Sequence, residues 1–319
     1  MSNPGATFGP RHGLAIRDGV GASCVGLPPG PWPTIFDFLL QRFPAQGQAV
    51  WLQRLQDGEV VDEFGQPVTL QRPYTSPLRV YYYRSVPEEA PIPFEAEILY
   101  RDEHLVVLDK PHFLPVMPSG NYLQQTALVR LKRSLGLDDL VPVHRIDRDT
   151  AGLVLFSVQP GSRNAYQALF RAHRVEKTYE AIAPWRSDLP LPMLYQSRLA
   201  ESAHFMQQHE VPGAPNSRTH IEVLEVHGPL ARYRLRPITG HRHQLRVHMA
   251  ALGLPICNDG IYPVLTPEGT TDYQRPLQLL AQSLAFDDPI TGVRRLFTSR
   301  RELTFRSSPP MHGWHAVLV

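Results

Sequence analysis

A polar turn that runs directly into an apolar segment is the feature that most restricts how this chain folds. Residues 144–152 read His-Arg-Ile-Asp-Arg-Asp-Thr-Ala-Gly, and Leu-Val-Leu-Phe follows at 153–156. The apolar run predicts a buried strand over 152–157, so Asp147 stands beside a core, where an unpaired charge is costly. A neighbouring guanidinium would keep this carboxylate ionised and able to act as nucleophile or base. The alternative is an Arg–Asp turn on the surface.

Composition narrows the class of protein. The chain has 319 residues and a formal net charge of +2, which excludes a uniformly basic surface but permits a local basic face. Its 32 prolines, about 10% of the residues, are roughly twice the usual share and indicate many loops. Cys24 and Cys257 form no Cys-x-x-Cys pair, and no apolar run approaches membrane-spanning length. We therefore expect a cytoplasmic protein without membrane contact, and we take a monomer as the default.

Composition also divides the chain into four segments. Residues 1–30 are rich in glycine and proline without periodicity, which predicts an irregular arm. Residues 31–85 hold two short helical patterns and several short strands, which predicts a small α/β module. The proline-rich segment 86–95 predicts a linker. Helix and strand patterns mix over 96–319, which predicts one larger domain.

A second concentration of polar side chains lies over 241–248, which read His-Arg-His-Gln-Leu-Arg-Val-His. If this segment is helical, Arg242 and Arg246 lie one turn apart on the same face. Two cations so close repel, and an anion, either a phosphate or Asp147, would offset that cost. The alternative is a solvated arginine face.

The three histidines of this segment allow a different function. His241, His243 and His248 are candidate zinc ligands for a metal-dependent hydrolase. The His-x-His spacing suits a strand better than a helix, however, because only alternate strand residues share a face. A structural role for each histidine is the simpler alternative.

Tyr179 lies in a predicted strand over 177–183, with Ala181 and Ala183 on the same face. The small neighbours leave room for a planar group above the ring. The alternative is a core tyrosine whose hydroxyl finds a partner at the edge.

Two longer stretches combine basic residues with aromatic or apolar ones. Arginine and lysine are interleaved with tyrosine and tryptophan over 163–186. Three arginines alternate with apolar residues over 232–236, which predicts a half-buried strand with a basic outer face. The first pattern suits a groove that contacts nucleic acid.

In combination, these segments resemble the RluA-type pseudouridine synthase family, over roughly residues 95–310. The motifs similar to those of the family are His144-Arg145-Ile146-Asp147 with Thr150 and Gly152, Lys177-x-Tyr179-x-Ala181, and Gly240-x-x-His243-Gln244-Leu245-Arg246-x-His248. Asp109-Lys110-Pro111 and Asp259-Gly260-Ile261-Tyr262 also resemble family sequence. Residues 34–84 resemble a degenerate alpha-L RNA-binding module.

The resemblance implies an α+β fold: a mixed, mostly antiparallel sheet with flanking helices and a central cleft, preceded by the small module. It also implies an isomerase that converts specific uridines of rRNA or tRNA to pseudouridine, with no cofactor and no metal. The target base would be flipped out of structured RNA into the cleft.

The resemblance further implies roles for particular residues. Asp147 would be the nucleophile and Arg246 its ion-pair partner, while Tyr179 would stack on the uracil and is a candidate to remove its ring proton. The implied substrate contacts come from His144, Arg145, Lys177, Arg242, His243 and Gln244. Two alternatives remain open, namely a metal-dependent hydrolase built on the three histidines and an RNA-binding protein without activity.

Overall fold

The computed structural model describes residues 13–84, 89–202, 207–266 and 271–305. The first part of the predicted arm and of the predicted linker lies outside these ranges. Within them the helices are α1 Ile35–Arg42, α2 Gln48–Gln56, α3 Ala127–Leu135, α4 Pro160–Arg171 and α5 Gln244–Ala251, with a 3-10 turn at Pro44–Gln46. The strands are β1 Ser23–Leu27, β2 Val60–Asp62, β3 Leu78–Tyr82, β4 Glu97–Arg101, β5 Leu105–Lys110, β6 Val141–Pro142, β7 Ala151–Ser157, β8 Glu176–Pro184, β9 Met193–Glu201, β10 Gln208–Val211, β11 Ser217–His227, β12 Leu230–Pro237, β13 Leu279–Asp287 and β14 Arg294–Thr298.

The chain forms two compact units, and the first comprises Met1–Ala90 and Pro118–Asp138. It holds an antiparallel sheet in the order β1-β3-β2, with a core around Trp51. Strand β1 corrects the expectation of an irregular arm up to residue 30. This strand is stabilised by pairing with β3, a distant partner that a local sequence pattern does not reveal. The alpha-L likeness and the predicted domain bounds stay predictions, although α3 belongs to this unit rather than the second.

The second unit comprises Pro91–Met117 and Asp139–Val319. The eleven strands described in this unit form one sheet in the order β10-β9-β11-β12-β8-β13-β7-β5-β4, with β14 paired to β13 and β6 to β7. Helix α4 packs on β7, and α5 packs against β9, β10 and β11. Among the pairs in the described sheet, β13 with β7 is parallel and the others are antiparallel. The predicted α+β fold with a mixed, mostly antiparallel sheet is confirmed.

Strand β7 is buried along its whole length, as the apolar run predicts. Gly152 has φ +107° and pairs with Ala281 of β13, and a Cβ at this position would lie 2.3 Å from the carbonyl oxygen of Ala281. A side chain would therefore push the two strands apart, so glycine allows the strand that follows Asp147 to run beside β13. Within the described ranges, no helix combines the length and the apolar character needed to cross a bilayer.

Candidate active site

A cavity of about 310 Å³ opens in the second unit beside the start of β7. Its walls come from the polar turn before β7, the C-terminal end of α4, the start of β8 and the segment that leads into α5. The predicted site residues that line it are His144, Arg145, Asp147, Lys177, Tyr179, His243, Gln244 and Arg246. Arg242 is the predicted site residue that does not line the cavity.

Asp147 and Arg246 meet in this cavity although they are 99 residues apart in the chain. Arg246 Nη1 donates a hydrogen bond of 3.2 Å to Asp147 Oδ2. The guanidinium is almost completely buried, with 2% of its side chain exposed, whereas 26% of the Asp147 side chain is exposed. The carboxylate therefore faces the cavity while its counter-charge is fixed in the wall.

Asp259 fixes the guanidinium. Arg246 Nε and Nη2 donate to the two oxygens of Asp259 at 2.8 Å and 2.6 Å, and the Asp259 side chain is fully buried. Asp259 Oδ1 also accepts the backbone N–H groups of Ile261 and Tyr262. This bidentate pair leaves Arg246 Nη1 directed at Asp147. The sequence reasoning gave Asp259 no role, and the family-like segment 259–262 was the only signal that pointed to it.

The backbone of the turn is fixed by hydrogen bonds to three successive carbonyl groups. The carbonyl of Asp147 accepts the N–H of Thr150 at 3.2 Å, and that of Arg148 accepts Lys110 Nζ at 3.0 Å. The carbonyl of Asp149 lies 2.7 Å from His112 Nδ1. These contacts leave the turn little freedom to move Asp147 away from the cavity.

The electrostatic surroundings keep Asp147 ionised. Burial by itself would raise the pKa of Asp147, but His243 when protonated, the charge and the hydrogen bond of Arg246, and the charge of Lys110 bring it below its ordinary value. Lys110 is itself completely buried, which lowers its pKa to about 7. The site thus holds a carboxylate anion at neutral pH.

Tyr179 and Lys177 lie on β8 at another wall of the cavity. Burial, and then the charge of Asp147, raises the pKa of Tyr179 well above its ordinary value, so the phenol keeps its proton. Lys177 Nζ donates to the carbonyl of Thr239 at 3.1 Å, and burial lowers its pKa to about 8. Ala181 is fully buried beyond Tyr179 on the same strand, as the spacing predicts.

His144 and Gln244 line the cavity, but their polar atoms bind the protein. His144 Nε2 accepts the backbone N–H of Leu155 at 3.2 Å, and its ring stacks on Phe170 with 4.5 Å between centroids. Gln244 Oε1 accepts from the Thr239 hydroxyl at 2.7 Å, and its Nε2 donates to Arg218 and Thr219. Both residues therefore hold the walls of the cavity in place.

Arg242 and Arg246 do not share a helix face, because the helix on which that expectation depended does not extend over the whole of 241–248. Helix α5 begins at Gln244, and His243 before it has φ +55°, in the left-handed region. This turn of the backbone separates the two arginines: Arg246 is buried and Arg242 is exposed. Arg145 is also exposed at the cavity, and it forms no ion pair with any residue in the described ranges.

The three histidines of the arginine segment do not converge. His241 Nε2 lies 2.9 Å from the carbonyl of Asn216, and His243 Nδ1 lies 3.0 Å from the Tyr262 hydroxyl. His248 is fully buried among the hydroxyls of Ser197, Ser217 and Thr219. Over the residues that the structure describes, no group of three or more His, Cys, Asp or Glu side chains is placed to hold a metal ion. The hydrolase alternative lacks the convergence it requires.

The outer face of β12 differs from the expectation of a basic surface. Arg234 and Arg236 both pair with Glu222 of β11, at 2.9 Å and 3.2 Å. Arg232 pairs with Glu180 of β8 at 3.2 Å. Cross-strand glutamates, which a single-strand pattern cannot show, neutralise most of this face.

Comparison with known proteins identifies the family to which the chain belongs. Residues 104–251 match the family described as RNA pseudouridylate synthase. The dual-specificity RNA pseudouridine synthase RluA of Haemophilus influenzae is 32% identical over 217 residues, which cover 65% of this chain and 93% of that protein. The ribosomal large subunit pseudouridine synthase D of Pseudomonas aeruginosa is 31% identical over 227 residues, 64% of this chain and 68% of that protein.

A solved structure shows the same fold. Human RNA pseudouridylate synthase domain containing 1 aligns with a TM-score of 0.54 and 20% identity, covering 66% of this chain and 86% of that one. The family match and the relatives define an isomerase of the pseudouridine synthase type, and the fold agrees with that class. The chain belongs to the RluA-type family of RNA pseudouridine synthases.

Proposed function

We propose that this protein converts particular uridines of rRNA or tRNA to pseudouridine, with Asp147 as the nucleophile. The observation that carries the proposal is the Asp147 carboxylate, which faces the cavity while Arg246 holds it from behind. Asp259 already compensates the buried charge of Arg246, so the guanidinium does not need a second carboxylate for stability. We therefore interpret the pair with the exposed Asp147 as a contact that holds this carboxylate for a reaction in the cavity.

The isomerisation needs a nucleophile that forms a covalent bond with the substrate and later breaks it. The Asp147 carboxylate attacks either the anomeric carbon of the ribose or the pyrimidine ring, and the glycosidic bond to N1 breaks. The uracil turns and rejoins the sugar through C5, after which Asp147 leaves. Arg246 keeps the carboxylate ionised before attack and stabilises it again on release.

The other residues of the cavity hold the base and the RNA. Tyr179 lines the cavity, where it would stack on the uracil, and it stays a candidate to remove the ring proton. The exposed guanidinium of Arg145, next to the catalytic turn, is placed to contact the RNA backbone or to fill the stack that the flipped base leaves.

The relatives support rRNA as one substrate class. The Pseudomonas relative is named for the large ribosomal subunit, and the Haemophilus relative is named for dual specificity. A map of pseudouridines in cellular RNA, made with and without this protein, identifies the modified positions and decides between rRNA and tRNA. The cytoplasmic location and the monomeric state stay predictions.

The test of the nucleophile is the Asp147→Asn variant. We expect it to fold and to bind RNA while losing pseudouridine formation, because an amide is not a nucleophile here. The assay is release of tritium from RNA labelled at uridine C5, with RNA affinity measured by fluorescence anisotropy.

Asp188→Asn is the matched control, because it makes the same change in an arginine-paired carboxylate that is exposed. It should retain full activity. Appreciable turnover by Asp147→Asn would remove Asp147 from the nucleophile's role. Inactivity of the wild-type protein on every RNA, with RNA binding intact, would instead favour the RNA-binding alternative.

A further inference from the structure

Lys177 places a positive charge in the wall of the cavity, and within the described ranges no carboxylate pairs with it. Its side chain is partly buried, and Nζ donates a hydrogen bond of 3.1 Å to the carbonyl of Thr239. Burial lowers the pKa of Lys177 to about 8, so most of the side chain still carries its proton at neutral pH. A cation withdrawn from water is costly unless an anion matches it. The cavity wall is therefore suited to an anionic ligand.

The carboxylates on the same strand do not serve as that anion. Side chains alternate along β8, so Lys177 points to the opposite face from Glu176 and Glu180. Both glutamates have other partners: Glu176 pairs with Arg294 at 2.6 Å, and Glu180 pairs with Arg232 at 3.2 Å. The strand thus separates an uncompensated lysine on the cavity side from compensated glutamates on the other side.

A fixed turn holds the ammonium in place. The hydroxyl of Thr239 donates to Gln244 Oε1 at 2.7 Å and accepts the backbone N–H of Arg218 at 3.0 Å, so the Thr239 carbonyl is a stationary acceptor for Lys177. Gly240, the next residue, has no side chain that could cover Nζ, and a Cβ there would lie 3.7 Å from that nitrogen. An ammonium has three N–H donors, and Thr239 accepts one of them. The side toward Gly240 therefore leaves the ammonium open to a ligand.

We propose that Lys177 binds a backbone phosphate next to the target uridine. The inference rests on the proposed function and adds the contact that positions the flipped nucleotide. A uracil is neutral, whereas each nucleotide of RNA has a phosphodiester anion on either side, which matches the charge of Lys177.

The spacing along β8 agrees with this assignment. Tyr179 lies two residues beyond Lys177 on the same face, and such side chains are about 7 Å apart. That separation is comparable with the distance between a base and its own phosphate. His144 stands close to Lys177, since the lysine charge adds to burial in lowering the pKa of His144 to about 3. A base stacked on Tyr179 would thus place its phosphate at a lysine beside a neutral imidazole.

Lys177→Met tests the proposal, because it keeps the length of the side chain and removes the charge. The probe is a synthetic stem–loop RNA that carries a uridine identified by the pseudouridine map. One linkage, on the 5′ or the 3′ side of that uridine, is a neutral methylphosphonate stabilised by 2′-O-methylation of the adjoining sugar. Each such RNA is compared with one of identical sugars and an ordinary phosphate, and fluorescence anisotropy gives the affinities.

We expect the neutral linkage on one side of the uridine to weaken binding by the wild-type protein about 10- to 100-fold and to leave binding by Lys177→Met unchanged. Lys177→Met should also lower the slope of log affinity against log salt concentration by about one. Lys177→Arg, which keeps the charge, should recover part of the affinity and of its sensitivity to the neutral linkage. Arg101→Met is the matched control, because it removes a positive charge at an exposed position of β4 that does not line the cavity. It should respond to the neutral linkages as the wild type does.

Two results would overturn the proposal. If the wild-type protein binds both methylphosphonate RNAs as tightly as their controls, no flanking phosphate is recognised, and this result does not depend on a variant that folds. If the neutral linkage costs Lys177→Met as much as it costs the wild type, another group binds the phosphate and Lys177 only supports the turn at Thr239. Either result with an active wild-type protein removes the role of Lys177 alone, whereas inactivity of the wild type on every RNA removes the proposed function.

Discussion

Two groups of arginine–carboxylate pairs in the second unit use the same chemistry in opposite surroundings. On the outer face of β12, Arg234 and Arg236 share Glu222, and all three side chains reach solvent. In the cavity, Arg246 also has two partners, but Arg246 and Asp259 are buried, and of the three only Asp147 is appreciably exposed.

The two groups differ in how strongly water screens their charges. Exposed pairs are screened and contribute little, whereas a buried guanidinium must be matched by its partners. The buried pair therefore acts as a rigid support that presents one carboxylate to the cavity. The exposed pairs contribute little to stability, and they neutralise much of the positive charge on the outer face of β12.

Arg246→Met should have the largest effect on this comparison. It leaves the buried Asp259 without its bidentate partner, which we expect to cost about 3–5 kcal/mol in the free energy of unfolding, and it abolishes turnover. Urea denaturation and the tritium-release assay measure the two effects. Arg246→Met with Asp259→Leu should recover part of the stability but none of the activity. Activity in the double variant would show that the buried pair is not the support for Asp147.

Asp259→Asn should have an intermediate effect. Arg246 keeps a neighbour that can accept a hydrogen bond but loses the charged, bidentate one, so its Nη1 is held less firmly against Asp147. We expect a loss of about 100-fold in kcat with little change in KM for RNA. Asp259→Glu should restore part of the rate if orientation is the reason. Equal activity of the Asn variant and the wild type would separate Asp259 from catalysis.

Arg234→Gln should have the smallest effect. The pair with Glu222 is exposed and Arg236 can still contact the same carboxylate, so we expect a change of less than about 1 kcal/mol in the free energy of unfolding. Turnover should match that of the wild type. A clear loss of RNA affinity would show instead that this face contacts the substrate and that its glutamates do not neutralise it.

Local patterns were enough to place the main functional residues on their elements. The apolar run after Gly152 gave β7, and the alternation around Tyr179 gave β8. Such patterns work because periodicity is set by neighbours within a few residues. They failed at His243, where a left-handed residue delays the helix by a turn, and at β1, which needs a distant partner.

The sequence by itself determined which chemical groups are present and which family the chain resembles. It could do so because each family motif is a short, contiguous segment that is recognisable without the fold. Only the tertiary structure decided that Asp259 fixes Arg246, that His243 stands between Asp147 and Tyr262, and that the arginines of β12 are neutralised. These are contacts between distant segments, and their energies depend on burial. The residues adjacent to a side chain in the sequence reveal neither its distant partner nor the extent of its burial.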